Sequence, residues 1–186
     1  MRKRAIVGLW LALATAGCSG TVAGRGTADV PVSASATLGP QKITLQLRSG
    51  QHLGAVTTSP NLECATSSLN VLEGDQPVAV VQLVPLSCPG RGKAAINGNL
   101  SAFATHDDVV GQPDLQEEPI KAGRVATFTE KYTECTNSCR FFHLKVAAVF
   151  LDHPTDPSRP AVNIIQEPRT SGSDIDPAGL AAQLTN

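Results

Sequence analysis

Aromatic residues are scarce in this chain, with one tryptophan, one tyrosine and five phenylalanines among 186 residues. Surfaces that stack bases usually display several exposed aromatics, and the same holds for sugar-stacking platforms. The aromatics here mostly occupy alternating positions in strand-like segments, where they read as core. Charge is also thin. Charged residues make up 17% of the chain, 15 basic against 16 acidic. Setting aside Arg2, Lys3 and Arg4 leaves 12 basic residues against 16 acidic. Such a body has no electrostatic case for binding nucleic acid or anionic lipid head groups. Nor does the sequence contain G-x-S-x-G, G-x-G-x-x-G, a P-loop or H-E-x-x-H, the spacings that position nucleophiles, phosphates and catalytic zinc. The expectation is a protein that is not an enzyme, with no catalytic residue, no resident metal and no cofactor.

What the chain does have begins at its first residue. Arg2, Lys3 and Arg4 precede an apolar run from Ala5 to about Ala16, followed by Thr15-Ala16-Gly17-Cys18. A basic n-region, a short apolar h-region and small residues at a cleavage site make a secretory signal peptide. The run is shorter than the roughly 18 residues a membrane-spanning helix needs. The segment resembles the leader of bacterial lipoproteins, in which a lipobox ends in Ala/Gly-Cys; Thr15 stands where leucine is commoner. The resemblance implies cleavage after Gly17, a signal peptide over 1–17, and acyl chains, palmitate among them, carried through Cys18. It also implies attachment to the cell membrane at the extracytoplasmic face. Ordinary secretion would leave Cys18 as an odd thiol outside the cell. One acyl chain holds only marginally, whereas two hold stably.

Residues 18–40 read as the lipidated cysteine and a flexible tether of small and polar residues, about 26 Å end to end as a coil. Residues 41–186 read as one extracytoplasmic domain. Ile43, Leu45 and Leu47 alternate with polar residues, the period of a half-buried strand. A second strand is expected within His52–Thr58, and Val78–Val84 reads as a buried strand. Residues 61–72 fit a short helix or a loop, and 94–105 fit a hairpin or a helix. Val109 to Gly123, with two prolines and several acids, reads as an exposed loop. The clearest feature is a hairpin: Ala126, Phe128 and Tyr132 share one face, and Phe142, Leu144, Val146, Ala148 and Phe150 share the facing one. The prolines of Asp152–Pro160 require a loop, and Ala161–Gln166 makes another strand. Asp176 before Pro177 matches a helix N-cap, with Leu180, Ala181 and Leu184 on the apolar side. The expected fold is α+β, one antiparallel sheet with one or two helices packed on it; a β-sandwich is the alternative. In layout, the strands, proline-rich crossover and terminal helix resemble the PsbP-like domains of some actinobacterial lipoproteins.

Besides Cys18 the chain has Cys64, Cys88, Cys135 and Cys139. An even number in an exported protein argues for two disulfides. Cys135 and Cys139 flank a three-residue turn and can face each other across the hairpin, leaving Cys64 to pair with Cys88. On the chain-entropy model the longer loop contributes about 3.5 kcal/mol and the shorter about 2 kcal/mol. Cys135, Cys139 and His143 would converge as zinc ligands only on a helix, and the alternation there says strand. His106-Asp107-Asp108, Asp152-His153, Glu117-Glu118 and Ser171-Gly172-Ser173 read as solvated turns and loops. The function expected from all this is a membrane-anchored binding or interaction module for a protein or a small apolar ligand. A structural envelope protein, or a metal-binding protein or enzyme, are the alternatives.

Overall fold

The computed structural model describes residues 30–58, 66–84, 116–167 and 175–186. Two antiparallel sheets account for nearly all of its regular structure. The smaller is a hairpin of β1 (Val32–Leu38) and β2 (Gln41–Leu47). Its turn has Gly39 at the first of two central positions, with φ +56°, a conformation glycine adopts without a Cβ clash. Ala34 and Ala36 face Leu45 and Ile43 across the hairpin, and this side is turned inward. The other side is polar: Ser35 Oγ and Thr44 Oγ1 are hydrogen-bonded at 2.8 Å, and Gln46 Nε2 donates to Ser33 Oγ at 2.7 Å.

The larger sheet contains β3 (Gln51–Leu53), β4 (Thr57–Thr58), β5 (Ser67–Glu73), β6 (Gln76–Val84), β7 (Glu118–Ile120), β8 (Gly123–Cys135), β9 (Cys139–Leu151) and β10 (Ala161–Gln166). Its strand order is β3-β5-β6-β10-β9-β8-β7. Both β3 and β4 pair with β5, so they are two halves of one interrupted edge strand. In β10, every residue from Ala161 to Ile165 is buried, as befits a central strand covered on both sides.

Register divides the apolar residues between the two faces. Ala147, Val149, Leu151, Val162, Ile164, Val81 and Leu83 belong to one cluster with Ile43, Leu45 and Leu47 of the hairpin. Ile175, Leu180, Ala181 and Leu184 complete it from α1 (Pro177–Ala182) and its flanks. Burying each large aliphatic side chain contributes about 1.5–3 kcal/mol, so this layer binds hairpin and helix to the sheet. Phe128, Leu144, Val146, Ala148, Phe150, Ala161 and Ile165 form a second cluster on the opposite face. Polar clamps tie the pieces together. Gln41 Oε1 accepts the Thr155 amide at 2.8 Å, and Thr44 and Thr185 exchange backbone hydrogen bonds at 2.8 and 3.0 Å.

Several expectations hold. The Ile43–Leu47 alternation is β2, Val78–Val84 lies within the interior strand β6, and Ala161–Gln166 is β10. The long hairpin is β8–β9, with Phe142 packed at the edge of the cluster formed by Leu144, Val146, Ala148 and Phe150. Asp176 caps the terminal helix, its Oδ1 accepting the Ala178 amide at 3.1 Å.

Other expectations are corrected. The segment expected to be a tether through residue 40 contains β1, because Val32, Ala34, Ala36 and Leu38 alternate with Ser33, Ser35 and Thr37. Small residues give that alternation little hydrophobic contrast, but facing Leu45 and Ile43 they suffice. Within 61–72, the described part from Ser67 belongs to strand β5, neither helix nor loop. The segment expected to be an exposed loop up to Gly123 contains β7, where Pro119 is tolerated because β7 is an edge strand. Strands hold 63% of the described residues, and the only helix among them has six residues. The antiparallel sheet stands, therefore, but the layer packed on it is chiefly a β-hairpin rather than helices. Residues 94–105 and the part of the expected tether before Val30 lie outside the described residues.

Candidate functional site

The β8–β9 hairpin runs thirteen residues on each strand, longer than any other among the described residues. Pairing with β10 reaches only to Val146, and pairing with β7 only to Val125. The end of the hairpin beyond Lys145 is therefore a two-stranded ribbon among the described residues. At its tip Cys135 and Cys139 are paired in register and disulfide-bonded, with Cα atoms 4.1 Å apart. Lys131, Thr133 and His143 are exposed on the ribbon. Phe141 is 65% exposed, with the Lys131 ammonium 5.5 Å from its ring centre. Phe141 thus departs from the expectation that the aromatics are mostly core. It shares its side of the ribbon with Lys131 and His143 rather than with Phe142, one residue on.

The zinc arrangement expected only on a helix does not form. The two cysteines are bonded to each other, and His143 lies four residues along the strand from Cys139, roughly 13 Å away. No group of three or more His, Cys, Asp or Glu side chains converges at metal distance among the described residues. Asp152 and His153 are exposed at the start of the loop after β9, and the His153 carbonyl accepts from Asn186 Nδ2 at 3.2 Å. Glu117 is ion-paired with Arg124, and Glu118 is exposed on β7. In the same loop as Asp152, hydrogen bonds from the Ser158 hydroxyl and then the Ser158 amide hold the Asp156 carboxyl below its usual value. Each of these acids serves a turn or an edge, and none is brought against a histidine. His106, Asp107, Asp108, Ser171, Gly172, Ser173, Cys18, Cys64 and Cys88 lie outside the described residues.

Open depressions mark the surface of the described residues. One of about 390 Å³ lies between Pro31, Gln46, Leu47, Arg48 and Gln183. Another of about 190 Å³ runs between Thr127, Lys145 and the start of the terminal helix at Pro177. The first carries one charged residue, Arg48, and the second carries two of opposite sign, Lys145 and Asp176.

The most unusual polar group is buried. Asn163, in the middle of the central strand β10, is fully buried, and neither Oδ1 nor Nδ2 has a hydrogen-bond partner among the described residues. It pairs with Ala148 on one side and Gln82 on the other. Its signal in the sequence is one amide inside an otherwise apolar Ala-Val-Asn-Ile-Ile run, which the periodicity alone does not single out.

Comparisons with protein-family models, curated proteins and solved structures give no match to this chain.

Proposed function

We propose that this chain is a lipid-anchored protein of the extracytoplasmic membrane face that works as a binding or interaction module. The observation that carries this reading is the Thr15-Ala16-Gly17-Cys18 sequence behind a basic and apolar leader. The bonded pair Cys135–Cys139 on an exposed ribbon supports it, because such bonds persist in oxidising compartments and are rare in the cytosol. Acyl chains at Cys18 would supply the membrane affinity that the acidic body does not. Binding is favoured because, among the described residues, the side chains with the most to gain from a partner are a buried amide and an exposed Phe–Lys pair.

Mass spectrometry of the mature N-terminal peptide, alongside detergent phase partition, tests this. A diacylglyceryl thioether on Cys18, with release of the Cys18→Ser protein into the aqueous phase, is the expected result. An unmodified N-terminus on protein that partitions into water would refute the anchor.

A further inference from the structure

One side of the β8–β9 ribbon gathers basic groups around an exposed ring. Register pairs Thr133 with Phe141, Lys131 with His143 and Thr129 with Lys145. Alternation puts these residues on the same side as Ala147 and Val149, which lie in the cluster beneath the β1–β2 hairpin. Their positions carry two lysines and a histidine and no acid. Lys131, Thr133, Phe141, His143 and Lys145 are all exposed. Glu130 belongs to the other side, where it is buried opposite Leu144. At its base this side runs into the depression of about 190 Å³ lined by Thr127, Thr129 and Lys145. Asp176 lines it too, with Oδ1 accepting the Ala178 amide.

Phe141 is 65% exposed, and the Lys131 ammonium over its ring combines an apolar surface with a positive charge. Aromatic side chains are enriched at protein interfaces. Along β9, Phe141, His143 and Lys145 follow one another at intervals of roughly 7 Å. An extended chain has the same repeat, so it can offer an apolar side chain to the first and carboxylates to the other two. The Cys135–Cys139 bond pins the far end of the ribbon, which lowers the ordering cost of binding. A membrane suits this side less well. Thr136, Asn137 and Ser138 at the tip are polar and exposed, and they would enter the hydrocarbon ahead of Phe141 at a cost.

We propose that the Phe141 side of the ribbon is a docking surface for an extended, acidic segment of a partner protein. Every second residue of that segment faces the ribbon, one apolar and then two acidic. This deepens the binding-module reading and rests on it, but does not depend on the anchor at Cys18.

The probe is the capped pentapeptide leucine-serine-aspartate-serine-aspartate, compared with the same peptide carrying asparagine for aspartate. Each is titrated into the oxidised, isotope-labelled mature chain with Cys18→Ser, and the backbone amide resonances are followed. The aspartate peptide is expected to shift Lys131, Phe141, His143 and Lys145 foremost. The asparagine peptide should bind at least about fivefold more weakly, the effect of one or two exposed ion pairs. Phe141→Ser should weaken the aspartate peptide by at least about fivefold as well, with the melting temperature kept because the position is exposed. Equal affinities for the two peptides, shifts centred elsewhere, or no binding up to the solubility limit would overturn the surface. Sedimentation with phosphatidylglycerol vesicles that Phe141→Ser abolishes, in a protein blind to the peptide, would overturn it in favour of a membrane contact. The two peptides on the native sequence decide the matter even if Phe141→Ser fails to fold. A failed titration with an acylated Cys18 in the native protein would remove this surface and leave the anchored-module reading in place.

Discussion

Cys135 and Cys139 face each other across the tip of the longest hairpin, their Cα atoms 4.1 Å apart. The bond closes a short loop where the ribbon has left the core, so its effect is local. Cys139→Ser is expected to loosen the ribbon by about 2 kcal/mol. Hydrogen exchange at the amides of Lys131 to His143 should then rise about thirty-fold, since each 1.4 kcal/mol is about a factor of ten. Exchange unchanged in the variant would count against the clasp.

Gly123 begins β8 with φ +150°, and a Cβ there would lie 2.0 Å from the Phe150 carbonyl oxygen. Nothing flexible can yield, because the obstacle is the backbone of the neighbouring strand. Gly123→Ala is expected to destabilise the protein by at least about 2 kcal/mol, measured by denaturant unfolding. A midpoint within error of the native protein would show that β8 and β9 do not approach as described at Gly123.

The terminal segment depends on the cap of its helix and on the residues buried in the helix and just after it. Asp176→Ala removes the acceptor for the Ala178 amide and is expected to cost about 0.5–2 kcal/mol. Leu184, fully buried against the hairpin cluster, should cost more, about 2–5 kcal/mol as Leu184→Ala. If calorimetry finds the cap variant worse than the core variant, the packing of the helix is misassigned.

Asp156 is held below the ordinary aspartate pKa by the Ser158 hydroxyl first and the Ser158 amide second. The charged form is the one favoured on folding. Its contribution is therefore present above the unfolded pKa and is lost as the pH falls through the folded value. The carboxyl is about a third exposed and sits at the surface, so the effect belongs to the loop turn rather than to global stability. A carbon-detected NMR titration should place Asp156 below an unperturbed aspartate and Ser158→Ala should raise it. A midpoint that does not move in the variant would remove Ser158 as the cause.

Much of the sheet was legible because its residues obey a single period. Leu144, Val146, Ala148 and Phe150 alternate without interruption, and the strand they mark is the long β9. Asp176-Pro177 announced the helix through local chemistry alone. β1 was missed because Val32, Ala34 and Ala36 bury too little surface to stand out, and their strand becomes evident only with Leu45 and Ile43 opposite them. β7 was hidden by Pro119, since whether a strand lies at an edge is a property of the assembled sheet. The exchange of helices for a hairpin over the sheet has the same origin: β1 and β2 together present the apolar face that a helix was expected to supply. For the site, Phe141 and Phe142 are indistinguishable by composition, and register alone puts one outside. Asn163 is visible in the sequence as a residue but not as a buried, unpartnered amide, because its neighbours Ala148 and Gln82 come from strands 15 and 81 positions away.

The anchor at Cys18 is the centre of the proposed function, and the mass of the mature N-terminal peptide tests it most directly. The expected spectrum shows a chain beginning at Cys18 and carrying a thioether-linked diacylglyceryl group. A peptide beginning elsewhere, or an unmodified Cys18, would contradict it.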